Sequence, residues 1–160
     1  MKTLFMAAFF AQITMCLFAQ PSFSDGLSAY NRKTSGRTEI KINAVRDFTK
    51  RFGQDVYATW SSDKDHLRAK FTRDEIKYAA DYDQKGRWVS TILVYDEAQL
   101  ASDLRKIVRS NYIDYSIVKV IEVTIGKSHV HFVKLENGSS LLTLHIMNGE
   151  ITEIENYKKG

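Results

Sequence analysis

Residues 130–146, VHFVKLENGSSLLTLHI, carry the clearest indication of fold in this chain. Apolar and polar side chains alternate on both sides of Asn137-Gly138, a dipeptide that favours the tight turn of a β-hairpin. A two-residue turn at this point would pair Glu136 with Ser139. The stretch therefore predicts two antiparallel strands, and the rest of the chain can be interpreted outward from them.

Two short amphipathic helices are predicted, each followed by a group of strands. The first covers residues 43–52, with Asn43 as its N-cap and Gly53 as its stop. The second begins at a capping box formed by Asp96 and Gln99. Its apolar face consists of Leu100, Leu104, Ile107, Val108 and Tyr112.

Each predicted helix is followed by four strand segments, and the two groups align so that Trp60 falls on Val123. This pattern predicts an α+β fold of two tandem helix-plus-four-strand antiparallel repeats, with the helices packed on one face of the sheet. The repeats are residues 40–95 and 96–158. The strand segments are residues 56–60, 67–71, 76–82, 87–95, 117–125, 130–135, 140–146 and 150–154. The aromatic residues in phase with the core are Phe48, Phe52, Trp60, Phe71, Tyr78, Tyr82 and Tyr112.

Residues 1–24 have the layout of a secretory signal peptide. Lys2 precedes an apolar run, and small polar residues up to Ser24 form the cleavage region. Residues 25–39 then form a flexible polar leader before the folded domain of residues 40–158. A periplasmic or secreted location follows, with a retained anchor or a lipid on Cys16 as alternative interpretations of the same segment.

Charge and composition exclude several classes of protein. The 160 residues contain 23 Lys and Arg against 19 Asp and Glu, a net charge of +4, and removal of residues 1–24 would take away one Lys and leave +3. A nucleic-acid-binding domain would need a basic stripe, which is not visible here. After residue 24 no apolar run is long enough to span a membrane. The only cysteine lies in the predicted signal, so the mature chain has no disulfide.

Several short motifs together carry a family resemblance. They are Val45-x-x-Phe48-x-x-x-Phe52, Trp60, Ala69-Lys70-Phe71, DQKGRW at 83–88, LASDL at 100–104, YIDYSI at 112–117 and Gly149-Glu150. In this respect the chain resembles the PepSY-like, β-lactamase-inhibitor-like (BLIP-like) domains of exported bacterial proteins, over residues 40–157. Ala101 departs from the pattern, which has proline at the helix start.

The resemblance implies two helix-plus-sheet repeats whose sheet offers a curved face to a protein partner. Most members of this family have no known activity. Inhibition of β-lactamase is not carried over to this chain, because the contact residues of that inhibitor are not identifiable in it.

The sequence contains no recognisable catalytic, cofactor or metal motif. His129 and His131 share one face of a predicted strand, a spacing that can chelate zinc. The predicted turn, however, places His131 opposite Leu144, and His145 opposite Val130 on the other face. We therefore expect no enzymatic activity, no cofactor and no metal site.

Strand pairing sorts the remaining side chains into a core face and an outer face. A turn at Arg73-Asp74 would place Phe71 opposite Ile76. The outer face is then basic in the first half and apolar in the second, a combination typical of protein-binding surfaces. The predicted protein-binding residues are Val130, Phe132, Lys134, Leu141, Thr143, His145, Arg68, Lys70 and Lys77.

The sequence thus predicts an exported, non-enzymatic protein-binding module whose partner is an unknown exported or envelope protein. Inhibitor-like action is one form of such binding. Three alternatives stay open: the leader or a terminal segment covers the outer face, the protein binds a small ligand or a metal, or it has a structural role in the envelope.

Overall fold

A computed structural model describes residues 41–63 and 66–160. The predicted signal peptide and leader lie outside the described residues. The helices are α1 (Ile42–Phe52), a 3₁₀ turn (Glu97–Gln99) and α2 (Ser102–Asn111). The strands are β1 (Thr59–Asp63), β2 (His66–Arg73), β3 (Ile76–Asp83), β4 (Trp88–Tyr95), β5 (Ser116–Ile125), β6 (Ser128–Glu136), β7 (Ser140–Met147) and β8 (Glu150–Lys158).

The eight strands form one antiparallel sheet in chain order, from β1 at one edge to β8 at the other. Cross-strand partners share a face of the sheet, so the register defines two faces. One face, which we call the helix face, contains the row Phe71, Tyr78, Leu93, Glu122, His131 and Ile146. The predicted antiparallel α+β architecture is confirmed, whereas the origin of its two halves as repeats of one unit stays a prediction.

Helix α1 packs on the first half of the helix face through aromatic side chains. The Phe48 ring lies 5.4 Å from Phe71 and 5.6 Å from Trp60, both in edge-on geometry. Phe71 in turn stacks on Tyr78 at 4.6 Å. Such aromatic pairs add to the stability gained from burial alone, and they match the predicted aromatic core.

Helix α2 packs on the second half of the same face through aliphatic side chains. Leu100 and Val108 are buried in one cluster with Val120, Val133 and Leu144. Ile107, predicted on this face, is instead 44% exposed. The helix turns Leu104 and Val108 toward the sheet, and Ile107 points away from it.

The predicted helix starts are wrong at both helices. Helix α1 begins at Ile42, and the preceding Lys41 makes no side-chain capping bond, so Asn43 is not its N-cap. In place of the predicted capping box, Asp96 precedes the 3₁₀ turn and accepts a hydrogen bond from Lys119 Nζ at 2.5 Å. The predicted stop at Gly53 is confirmed, since its N–H donates to Thr49 O at 3.0 Å.

The register of the first predicted hairpin is shifted by two residues. Phe71 pairs with Tyr78 and not with Ile76. The reason is the turn itself, because Asp74 and Glu75 both adopt positive φ angles, +50° and +66°, as a two-residue hairpin turn requires. Strand β1 also begins later than predicted, at Thr59.

The second predicted hairpin shows the same shift. Glu136 pairs with Leu141 and not with Ser139. The loop is wider because Asn137 Oδ1 accepts hydrogen bonds from the backbone N–H of Ser139 and Ser140, at 2.9 and 2.7 Å. A shift of two residues leaves every side chain on its predicted face.

Two further pairings change with this shift. His131 lies opposite Ile146, where Leu144 was predicted, and His145 lies opposite Phe132, where Val130 was predicted. The prediction that His145 is on the other face from His131 is confirmed. Within residues 41–63 and 66–160, no helix is long and apolar enough to cross a membrane.

Candidate protein-binding face

The face of the sheet opposite the two described helices, which we call the open face, carries a broad apolar surface. Two rows of cross-strand neighbours run across it. One row is Lys70, Ala79, Ile92, Val123, Val130 and Met147, and the other is Lys77, Val94, Ile121, Phe132 and His145. All nine predicted binding residues lie on this face.

The centre of the open face is an apolar stripe of half-buried side chains from three adjacent strands. We define the stripe as Ile92, Val94, Ile121, Val123, Val130 and Phe132. The last two were predicted from the sequence, and the other four were missed. For Ile92 and Val94, the signal that could have found them is the run TILVY in β4, which is apolar on both faces.

A groove of about 420 Å³ opens at the β2–β4 end of the stripe. Ile92 and Val94 contribute to its floor, and Lys70 and Lys77 line it as well. Tyr57, 76% exposed, stands at its wall. No acidic side chain is among the described residues that line this groove, which leaves it with a positive charge beside an apolar floor.

Arg68 lies on the same face, but its charge is already neutralised. Its guanidinium donates to both carboxylate oxygens of Asp81, from Nε at 2.5 Å and from an Nη at 3.0 Å. Ser90 Oγ donates to the same carboxylate at 3.2 Å. The hydrogen bond to Asp81 raises the pKa of Arg68. Arg68 is therefore less suited than Lys70 or Lys77 to attract a charged partner.

The other predicted binding residues differ in how far their side chains are exposed to a partner. Lys134 is exposed next to the stripe, and Leu141 is 41% exposed near the start of β7. Thr143 is buried and donates to Glu155 Oε2 at 2.7 Å. The His145 ring lies 5.4 Å from that of Phe132, so it extends the stripe toward β7.

Two of the other histidines, His129 and His131, lie on the helix face around one carboxylate. Glu122 Oε2 is 3.6 Å from His131 Nε2, and Glu122 Oε1 is 3.7 Å from His129 Nδ1. Tyr95 donates its hydroxyl to Glu122 Oε2 at 2.9 Å. Burial, together with the negative charge of Glu122, raises the pKa of Tyr95, which keeps this hydroxyl a donor.

This cluster does not have the arrangement of a catalytic triad. Thr124 Oγ1 lies 3.1 Å from His129 Nδ1, the same nitrogen that faces Glu122. In a triad the hydroxyl and the carboxylate bond different ring nitrogens. One nitrogen takes the hydroxyl proton, and the carboxylate orients the ring through the other. These three side chains therefore give no support to a hydrolase.

Solved bacterial structures share this fold. A DUF2874 family protein from Bacteroides ovatus superposes with a TM-score of 0.59 at 18% identity, covering 77% of this chain and 89% of that protein. A BLIP-like protein from Bacteroides fragilis gives 0.57 at 15% identity, covering 76% and 89%. A Bacteroides eggerthii protein, provisionally named as periplasmic, gives 0.57 at 12% identity, covering 76% and 90%.

At these identities the likeness shows the fold alone. No family model matches the sequence, and no curated protein matches it significantly. The fold is therefore BLIP-like, and the PepSY-like part of the predicted resemblance stays a prediction. None of the three names describes a catalytic activity.

Proposed function

We propose that this protein is an exported, non-catalytic module that binds another protein through the open face. The observation that carries the proposal is the apolar stripe, which continues over β4, β5 and β6 while both described helices pack on the other face. Contiguous apolar surface of this kind is typical of protein interaction sites.

The chemistry of the open face indicates what kind of partner it would take. Ile121 and Phe132 would contact apolar side chains at the centre of the interface, where water is excluded. Lys70 and Lys77 at the groove favour a partner with carboxylates beside its apolar side chains, because opposite charges accelerate the encounter. Lys134 adds a further positive charge next to Phe132.

The location and the absence of catalysis belong to the same proposal. The predicted signal peptide and the provisional periplasmic name of one similar structure support an exported protein. The names of the similar structures, which describe no enzyme, support a non-catalytic role.

The test is capture of envelope proteins from the native organism by the exported chain and by single variants. Phe132→Asp, within the stripe, should abolish capture of a stoichiometric partner. Its matched control is Ile113→Asp, because Ile113 is 81% exposed outside the sheet and its substitution should leave capture unchanged. A partner retained equally by both variants would contradict the proposal.

The charge contribution has its own pair of variants. The double variant Lys70→Glu/Lys77→Glu should associate more slowly with the captured partner. Added salt should likewise slow the association of the parent chain with that partner. Lys50→Glu, at an exposed position in the last turn of α1, is the control. If the captured partner is an enzyme, measuring its rate with and without this chain decides whether binding inhibits it.

A further inference from the structure

The groove at the β2–β4 end of the open face has two lysines on one of its sides. Lys70 in β2 and Lys77 in β3 both line it, and both are exposed. Lys70 pairs with Ala79, which is two residues from Lys77, so the two lysines are diagonal neighbours about 7–8 Å apart. Because lysine side chains are long and flexible, both ammonium groups can reach one anion between them.

A threonine lies directly across the strand pair from each lysine. Thr59 in β1 pairs with Lys70, and Thr72 in β2 pairs with Lys77. Both threonines line the groove, and their hydroxyl groups can donate hydrogen bonds as the ammonium groups do. Since no acidic side chain is among the described residues that line the groove, this set of donors favours an anionic ligand.

The apolar side of the groove leads away from the lysines. Ile92 and Val94 lie on β4, the strand next to that of Lys77. Their rows continue to Val123 and Ile121 on β5. Neighbouring strands are about 4.8 Å apart, so an apolar chain that crosses the strands from β3 to β5 would cover about 10 Å of apolar surface.

We propose that the groove binds an aliphatic carboxylate, a ligand with one anionic head group and an unbranched apolar tail. The carboxylate would accept hydrogen bonds from Lys70 and Lys77, and the tail would lie on Ile92 and Val94. A ligand without a tail would leave the floor in water, and one without a charge would leave both ammonium groups unpaired. The volume of about 420 Å³ is within the range of small-molecule sites, about 300–1,000 Å³.

Calorimetric titration of the exported chain with dodecanoate, below the concentration at which dodecanoate forms micelles, tests the proposal. The parent chain should bind one equivalent. Octanoate should bind at least about tenfold more weakly, because it lacks four methylene groups that would be buried on the floor. Acetate lacks the tail and dodecyltrimethylammonium lacks the negative charge, so neither should show saturable binding.

Two double variants with the same change in net charge locate the head group. Lys70→Gln/Lys77→Gln should weaken the binding of dodecanoate about tenfold, because two exposed ion pairs with the carboxylate are lost. Lys50→Gln/Lys106→Gln, at exposed positions in the two helices, should bind like the parent chain. Val94→Thr should weaken binding as well, because it places a hydroxyl group under the apolar tail.

A parent chain that does not bind dodecanoate, or equal losses in the two double variants, would overturn the proposal. Dodecyltrimethylammonium that binds as tightly as dodecanoate would also overturn it, since the tail alone would then account for binding. The test is separate from that of the proposed function. Protein capture without dodecanoate binding would contradict only this inference, and dodecanoate binding without protein capture would contradict only the proposed function.

Discussion

The two faces of strand β6 are similar in composition and different in environment. Val133 and Leu135 point to the helix face and are 0% and 1% exposed. Val130 and Phe132 point to the open face and are half-buried. Alternation along the strand tells which residues share a face, but the helices determine which face becomes core. The same apolar side chains should therefore affect stability on one face and binding on the other.

The largest loss of stability is expected on the helix face, at Phe48. Phe48 is 1% exposed and contacts the rings of Phe52, Trp60 and Phe71. Phe48→Ala should lower the free energy of unfolding by about 3–5 kcal/mol, because it leaves a cavity among rigid rings. Urea unfolding measures the change. Ile113→Ala is the control and should stay within about 0.5 kcal/mol of the parent chain.

A smaller loss is expected at Gly86, where a turn approaches the start of α1. Its φ angle is +76°, and a Cβ atom would lie 2.8 Å from the backbone N of Ala44. Gly149, with φ of +83° and no atom within 4 Å of an added Cβ, is a matched control. Gly149→Ala should cost about 1–2 kcal/mol from the backbone conformation alone. Gly86→Ala should cost more, and equal losses in thermal unfolding would contradict this contact.

The smallest effect is expected at Asp83, in the same turn, and it depends on pH. Hydrogen bonds from the backbone N–H of Arg87, and then from its side chain and from Lys85, lower the pKa of Asp83. A lowered pKa in the folded state gives stability above the unfolded value, near 3.8, and this stability is lost as the pH falls through the folded value. The parent chain should therefore lose more stability than Asp83→Asn as the pH falls below 3.8. Parallel pH profiles in urea unfolding would show that these bonds contribute nothing.

The fold was predictable where it depends on the alternation of side chains between the two faces of the sheet. Both hairpin registers were wrong by two residues, but an even shift preserves the faces, so the open-face residues Phe132 and Lys77 were still assigned correctly. The helix starts were not predictable from capping residues, because Asn43 lies inside α1 and Asp96 accepts a hydrogen bond from Lys119 in place of a capping bond. Tertiary packing overrides local preference at such positions.

The site was predicted in part, and the missing part has a physical explanation. Ile92 and Val94 alternate with Leu93 and Tyr95, so β4 is apolar on both faces and its sequence does not distinguish the open face from the helix face. Glu122 could not be joined to the histidines without the register between β5 and β6. Arg68 was predicted as a protein-binding residue, and only the structure shows its bidentate pairing with Asp81.

The central claim is that the open face is a surface and not a second core. The most direct test compares Phe132→Asp with Val133→Asp, neighbouring residues on opposite faces of β6, by urea unfolding. We predict that Val133→Asp lowers the free energy of unfolding by at least about 4 kcal/mol, because it buries an unpaired charge. Phe132→Asp should cost only about 1–2 kcal/mol, because the ring is half-buried and Asp at this position reaches solvent. Comparable unfolding of both variants would contradict the claim, and would indicate that another part of the chain covers the stripe.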